Sequence, residues 1–136
     1  VFMNPPYFEQ NSVKESHTLS SHQARVESMP LSAWISVAKN RCKPNGKITI
    51  IQRVERLPDI INCLNGYFGQ VIVQPISSFK DTSPKTVIVQ ATKTSGAAFK
   101  LLAPKIVHRR DGISGKVVYE DEFKKILRYG HPLQLN

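Results

Sequence analysis

A helix, a glycine-containing turn and a strand follow one another in the middle of the chain, and this succession constrains the fold most. Apolar residues at helical spacing predict a helix from about Ser32 to Lys43, and these are Leu31, Trp34, Ile35, Ala38 and Cys42. Pro44-Asn45-Gly46 stops that helix. The β-branched run from Lys47 to Gln52 is typical of a buried central strand. Such a chain should pack its helix on a sheet, as one αβ unit.

The segments that follow repeat this alternation. The stretch from Glu55 to Phe68 predicts a second amphipathic helix that ends at Gly66 or Gly69, in which Pro58 is tolerable because it falls in the first turn. Val71-Ile72-Val73 and the stretch from Thr86 to Ala91 predict two strands. Only a polar segment, residues 77–85, joins these strands, so they should pair in antiparallel fashion.

Shorter apolar pieces occupy the last part of the chain. Phe99 to Leu102 and Ile106 to His108 are expected to be extended, and Glu120 to Tyr129 predicts a terminal helix with inward-facing Phe123, Ile126 and Leu127. Phe8 to Met29 is polar and without sustained periodicity, which predicts a mobile loop or a loop with a short helix. The complete pattern predicts an α/β fold with a mixed sheet that is closed by an antiparallel hairpin.

Composition bounds the class of protein. The chain has 136 residues, 40% of them hydrophobic, which is enough for a single domain, 1–136, with a real core. Its formal net charge of +9 is expected of a protein that meets nucleic acid or another polyanion. No apolar stretch approaches the ~20 residues of a membrane span and no signal sequence is visible, so a cytoplasmic location is expected. Cys42 and Cys63 lack Cys-x-x-Cys spacing and are expected to be reduced packing residues.

Residues suited to chemistry stand at the start of the chain, where Asn4-Pro5-Pro6-Tyr7 follows the apolar run Val1-Phe2-Met3. The Asn4 side-chain oxygen and the Pro5 carbonyl are acceptors that together could hold both hydrogens of an NH2 group and direct its lone pair. Tyr7 offers a face on which a base can stack. The same residues also suit an ordinary strand-ending turn, and their chemistry alone favours neither interpretation.

The order of these segments resembles the C-terminal half of a Rossmann-like class I S-adenosylmethionine-dependent methyltransferase that modifies amino groups. The local sequence is similar to the tRNA adenine-N6 methyltransferases that act on valine tRNA. The similarity runs through nearly the whole chain and rests on Val1 to Phe8, Ala24 to Glu27, Lys43 to Ile48, Gln52 to Leu57 and Leu101 to Pro104.

This resemblance implies a target-amine site made by Asn4, Pro5, Pro6 and Tyr7, with S-adenosylmethionine as cofactor and tRNA as partner. Asn4 would orient the adenine N6 amine and also contact the cofactor, the Pro5 carbonyl would accept the second hydrogen, and Tyr7 would stack on the base. The displacement that the resemblance implies requires no metal and no covalent intermediate.

The remaining cofactor contacts are expected upstream of Val1, because none of the seven glycines has the spacing of the fold's glycine-rich loop. The chain is therefore expected to be a partial methyltransferase domain, inactive alone, from a longer gene product.

Arg53 and Arg56 are RNA-binding candidates because they follow the central strand, where active-site loops of open α/β sheets lie. A looser set comprises Lys80, Lys85, Arg109 and Arg110. Each of these cations could contact phosphate. The alternative is a solvated face, with Arg56 paired to Glu27 or Glu55.

Two other classes of function stay open. A protein glutamine N5-methyltransferase of release factors would use the same grip on an amide and would be indifferent to RNA. A non-catalytic fragment could instead bind RNA, or form a homodimer through an exposed sheet edge.

Overall fold

The computed structural model describes residues 1–6 and 29–135. Tyr7 and the polar stretch that was expected to be a loop, apart from Met29, lie outside the described residues. The first elements are strand β1 (Phe2–Met3), helix α1 (Leu31–Arg41) and strand β2 (Lys47–Arg53). This part of the chain confirms the predicted helix, turn and strand.

The next elements are a 3-10 turn (Val54–Arg56), helix α2 (Leu57–Leu64) and the long strands β3 (Phe68–Ser77) and β4 (Thr86–Lys93). Short elements complete the described chain, namely β5 (Lys100–Leu101), β6 (Lys105–Ile106), β7 (His108–Arg110), β8 (Val117–Tyr119) and α3 (Asp121–Tyr129).

A mixed sheet forms the centre of the fold, with the strand order β1-β2-β4-β3 followed by β5 and β6, which both pair with β3. β1 runs parallel to β2, with Met3 opposite Ile50, whereas β4 is antiparallel to both β2 and β3. β4 therefore lies between the two strands that precede it in sequence. The β3–β4 hairpin does not end the sheet, because β5 and β6 add to the outer edge of β3.

The core lies on one face of this sheet. Alternate residues of β2 and β4 are buried there in register, Ile48 opposite Ala91 and Ile50 opposite Val89. α1 and α2 cover this face, and their buried residues are Leu31, Ile35, Ala38, Ile60 and Leu64. Cys42 belongs to the same cluster and the partly buried Trp34 packs against it, as their helical spacing predicted. The helices pack here because each has an apolar stripe, and the alternate apolar residues of the strands form an apolar surface on this face of the sheet.

The turn between α1 and β2 depends on backbone conformation. Asn45 has a φ of 59°, in the left-handed region that Asn tolerates better than most residues. A Cβ at Gly46 would lie 2.8 Å from the Cys42 Sγ and 2.8 Å from the Lys43 carbonyl oxygen. Only glycine therefore lets the chain pass this close to the end of α1 before it enters the sheet.

The second helix ends just before Gly66, whose φ is +79°, which is one of the two predicted ends, and Phe68 begins β3. One side chain was wrongly assigned, and one hairpin was missed. In α3, Phe123 and Ile126 are half-buried, but Leu127 is 60% exposed, because little of the described chain packs on that helix. The β7–β8 hairpin was not foreseen, because its strands have three residues each and show too little alternation to be recognised.

Within the described residues, no helix combines the length and apolar character needed to cross a membrane.

Replacing a core residue gives the first testable prediction. Ile60 is completely buried between α2 and the sheet, so Ile60→Ala should lower the free energy of unfolding by about 2–5 kcal/mol. Ile113→Ala is the matched control, because Ile113 is fully exposed, and it should change that free energy by less than about 0.5 kcal/mol. Urea unfolding followed by circular dichroism measures both variants. Equal effects would contradict the assigned core.

Candidate active site

The end of β1 and the end of β2 meet at the same edge of the sheet, because these neighbouring strands are parallel. Asn4-Pro5-Pro6 leaves β1 at this edge, and β2 ends there at Arg53. The carboxyl ends of parallel strands are where open α/β sheets place their ligands. We call this edge, with its emerging loops, the carboxyl edge.

Gln52 joins these two strand ends. Its side chain is only 2% exposed, and its Nε2 donates a hydrogen bond to the Pro5 carbonyl oxygen at 3.1 Å. Its Oε1 accepts a hydrogen bond from the Arg53 backbone N–H at 2.9 Å. A carbonyl only accepts and a backbone N–H only donates, so the partners determine which way the amide points. Pro5 is thereby held against the end of β2.

The Asn-Pro-Pro segment presents one polar side chain at the carboxyl edge. Asn4 is exposed, Pro5 is buried and Pro6 is half-buried. The Pro5 carbonyl oxygen uses one lone pair for Gln52, and a carbonyl oxygen can accept a second hydrogen bond. The geometry therefore leaves intact the expectation that Asn4 and Pro5 act as paired acceptors. Tyr7, the fourth residue of the predicted site, lies outside the described residues.

The two arginines chosen from the sequence differ in their surroundings. Arg53 is exposed at the end of β2, directly after Gln52. Arg56 is half-buried, and its Nε lies 3.0 Å from Asp59 Oδ2 within the first turn of α2. The expected pairing of Arg56 with Glu55 is therefore wrong, and Glu27 lies outside the described residues. Arg53 is the more exposed of the two side chains, so it is the stronger candidate for phosphate.

Part of the looser basic set also lies along the carboxyl edge. Thr86 of β4 is opposite Arg53, and the Lys85 carbonyl accepts a hydrogen bond from the Val54 N–H at 3.1 Å. Lys85 therefore lies beside the end of β2, close to Arg53. Lys80 lies in the loop between β3 and β4, and Arg109 and Arg110 are in β7.

Neither cysteine has the character of a reactive thiol. Both are free, and Cys42 is buried in the core. Burial raises the pKa of the Cys63 thiol, and the nearby Asp59 carboxylate raises it further, against a smaller opposing effect of Arg56. A protonated thiol is a poor nucleophile and a poor metal ligand. The described residues contain no cluster of His, Cys, Asp and Glu side chains suited to a metal ion.

Comparison with solved structures identifies the fold. The crystal structure of a predicted O-methyltransferase from Agrobacterium tumefaciens matches with a TM-score of 0.71 and 20% sequence identity, over 93% of this chain and 49% of that one. This chain thus spans about half the length of that protein. At this identity the likeness shows the fold alone: a methyltransferase-like α/β fold with a mixed sheet. No family model matches the sequence, and no curated protein does.

The described site residue that the sequence did not reveal is Gln52. It was part of the segment that carried the resemblance, but its position in a β-branched run suggested only a strand residue. A polar residue at a buried position of an alternating strand is the signal that could have identified it, because buried amides require partners.

Removing the Gln52 amide gives the second prediction. Gln52→Leu leaves the buried Pro5 carbonyl without this donor, so it should lower the free energy of unfolding by about 1–3 kcal/mol. Gln90→Leu is the matched control, because Gln90 is half-buried in β4 and its bond to Thr49 is 3.3 Å long. Urea unfolding compares the two. A Gln52→Leu loss no greater than the control's would show that the amide is dispensable.

Proposed function

We propose that this chain provides the acceptor-amine side of an S-adenosylmethionine-dependent methyltransferase that acts on the N6 amine of adenine in tRNA. The observation that carries the proposal is the Gln52 amide, which fixes the Pro5 carbonyl next to Asn4 at the carboxyl edge. The methyltransferase-like fold supports the reaction class, and the net charge of +9 supports a polyanionic substrate.

The amine would be held by two neutral acceptors. The Asn4 side-chain oxygen would accept one N–H and the Pro5 carbonyl the other, which points the nitrogen lone pair out of the plane of the two bonds. This arrangement suits a neutral NH2 group. A cation would need a carboxylate, and a hydroxyl has a single hydrogen to offer.

The two acceptors suit a transfer in which positioning of the amine supplies most of the acceleration. S-adenosylmethionine, when bound, supplies an electrophilic methyl group on a positively charged sulfur. This chain's residues hold the attacking nitrogen, and the proton released from the methylated amine can pass to solvent. A general base on the chain is therefore not demanded.

Arg53 and Lys85 would hold the RNA near the acceptor site. Both are exposed. Arg53 is the last residue of β2, and Lys85 comes directly before the neighbouring strand β4. Phosphate contacts of this kind fix the position of a nucleic acid without reading its sequence. Arg56, paired to Asp59, would contribute less.

The third prediction concerns the amine site. In the full-length natural protein, Asn4→Ala should lower methyl transfer into unmodified tRNA about 100-fold or more, because the nitrogen loses its orientation. Asn40→Ala on the exposed face of α1 is the matched control and should leave transfer unchanged. Labelled S-adenosylmethionine and nucleoside analysis of the tRNA measure both.

The product of that assay separates the candidate functions. Label in N6-methyladenosine that depends on Asn4 supports the proposal. Label in a glutamine side chain of a release factor, with none in tRNA, would replace it by protein methylation, because the same acceptors can grip an amide. RNA binding without any transfer would favour the non-catalytic interpretation, for which self-association through the sheet edge stays a prediction.

The fourth prediction concerns Arg53. Arg53→Ala should weaken tRNA binding and reduce the slope of log K against log salt by about 1, because one phosphate contact is lost. Arg41→Ala is the control, since Arg41 is exposed at the end of α1, on the side of the sheet where β2 begins. Fluorescence anisotropy over a salt series compares them. Equal slopes would remove Arg53 from the interface.

A further inference from the structure

The β7–β8 hairpin begins at the same edge of the sheet as Asn4. The N–H groups of Val107 and His108 donate to the Ser77 and Ser78 carbonyls, each at 2.9 Å, at the carboxyl end of β3. The Glu120 N–H donates to the Val107 carbonyl at 2.9 Å and closes the base of the hairpin. The hairpin is therefore rooted at the carboxyl edge, beyond the end of β6.

One face of the hairpin carries a stack of aromatic rings. His108 is opposite Tyr119 in the pairing, and their ring centroids are 4.9 Å apart. Phe79, from the loop between β3 and β4, lies 5.6 Å from the His108 ring. His108 and Phe79 are half-buried, while Tyr119 keeps 43% of its surface exposed. The stack thus ends in an aromatic side chain that solvent can reach.

A cation accompanies these rings. Residues on a strand alternate between faces, so Arg110 shares the face of His108 and Tyr119, with Val117 opposite it. Arg109 points to the other face, where its Nε lies 3.7 Å from Glu120 Oε2. We call His108, Arg110 and Tyr119, with Phe79 behind them, the hairpin face.

Asp111 orders the turn beside this face. Its Oδ1 accepts hydrogen bonds from the backbone N–H groups of Ile113 at 2.7 Å and Ser114 at 3.2 Å. These two bonds hold the pKa of the Asp111 carboxyl below its usual value. The only carboxylate between residues 108 and 119 is thus engaged by its own turn, and a preformed hairpin loses little freedom on binding.

We propose that the hairpin face binds RNA of the substrate, with Tyr119 stacking on an unpaired base and Arg110 contacting phosphate. This rests on the proposed function and deepens it. An exposed aromatic side chain next to a cation is the arrangement that proteins use for single-stranded nucleic acid. Packing accounts for Phe79 and His108, but it leaves 43% of Tyr119 exposed, on the same face of the hairpin as Arg110.

The distance between the hairpin and Asn4 requires a substrate large enough to reach both. In the sheet, β6 is four strand spacings from β1, which places the root of the hairpin about 19 Å from Asn4. An isolated nucleotide or one side chain cannot reach both places. An RNA loop can, and Arg53 and Lys85 lie between them along the same edge.

The test measures binding of an unmodified tRNA transcript to the full-length natural protein. Tyr119→Ala combined with Arg110→Ala should weaken binding about 10-fold or more and lower the salt slope by about 1. The matched control combines Tyr67→Ala with Arg41→Ala. Both residues are exposed, Tyr67 by 49%. They lie at the opposite edge of the sheet, where β2 and β3 begin. This control should bind like the wild type.

Two further variants keep the test decisive if the double variant does not fold. Tyr119→Phe retains the ring and should bind like the wild type, and Arg110→Glu leaves the rings in place and should still weaken binding. Circular dichroism verifies the fold of each.

The outcomes distinguish the hairpin from the proposed function. If the wild type binds tRNA and the hairpin variants bind equally well, the hairpin inference is overturned and the proposed function stands. If the wild type binds no tRNA, both fail. Displacement of tRNA by polyglutamate of equal charge would overturn the RNA assignment in favour of an acidic protein partner.

Discussion

The buried row shared by β2 and β4 is the constraint on which the rest of the structure depends. Ile48 and Ile50 lie opposite Ala91 and Val89, and all four are inaccessible to solvent or nearly so. Burial of such side chains stabilises by about 1.5–3 kcal/mol for each large aliphatic residue. α1 and α2 pack on this face. β1 pairs with the outer edge of β2 and β3 with the outer edge of β4, and this pairing sets where the loops of the carboxyl edge emerge.

The same row ends in a polar residue. Gln52 continues the buried face of β2, where the alternation calls for an apolar side chain, and a buried amide without partners is costly. Its partners are the Pro5 carbonyl and the Arg53 N–H. The candidate amine site is therefore attached to the core by a hydrogen-bonded side chain. A rigid attachment of this kind is what a reaction that depends on orientation requires.

The carboxyl edge brings together residues from distant parts of the sequence. β4 lies between β2 and β3, so Lys85 stands next to the end of β2, and the loop that contains Phe79 reaches the base of the β7–β8 hairpin. Cations and rings then extend from the proposed amine site to the far side of the sheet. A polyanion with unpaired bases matches such a band better than a small molecule does.

The sequence by itself determined the local elements with strong periodicity. The α1 stripe, the turn at Asn45-Gly46 and the β2 run each carry a local signal, because helical spacing, positive φ and β-branching are properties of neighbouring residues. It also placed Asn4 and Pro5 directly after the end of a strand. Only the tertiary structure decided that β4 lies between β2 and β3, that Gln52 donates a hydrogen bond to Pro5, and that the Tyr119 ring contacts His108. These contacts join residues far apart in the chain, and their free energy comes from burial and pairing that exist only once the sheet has formed.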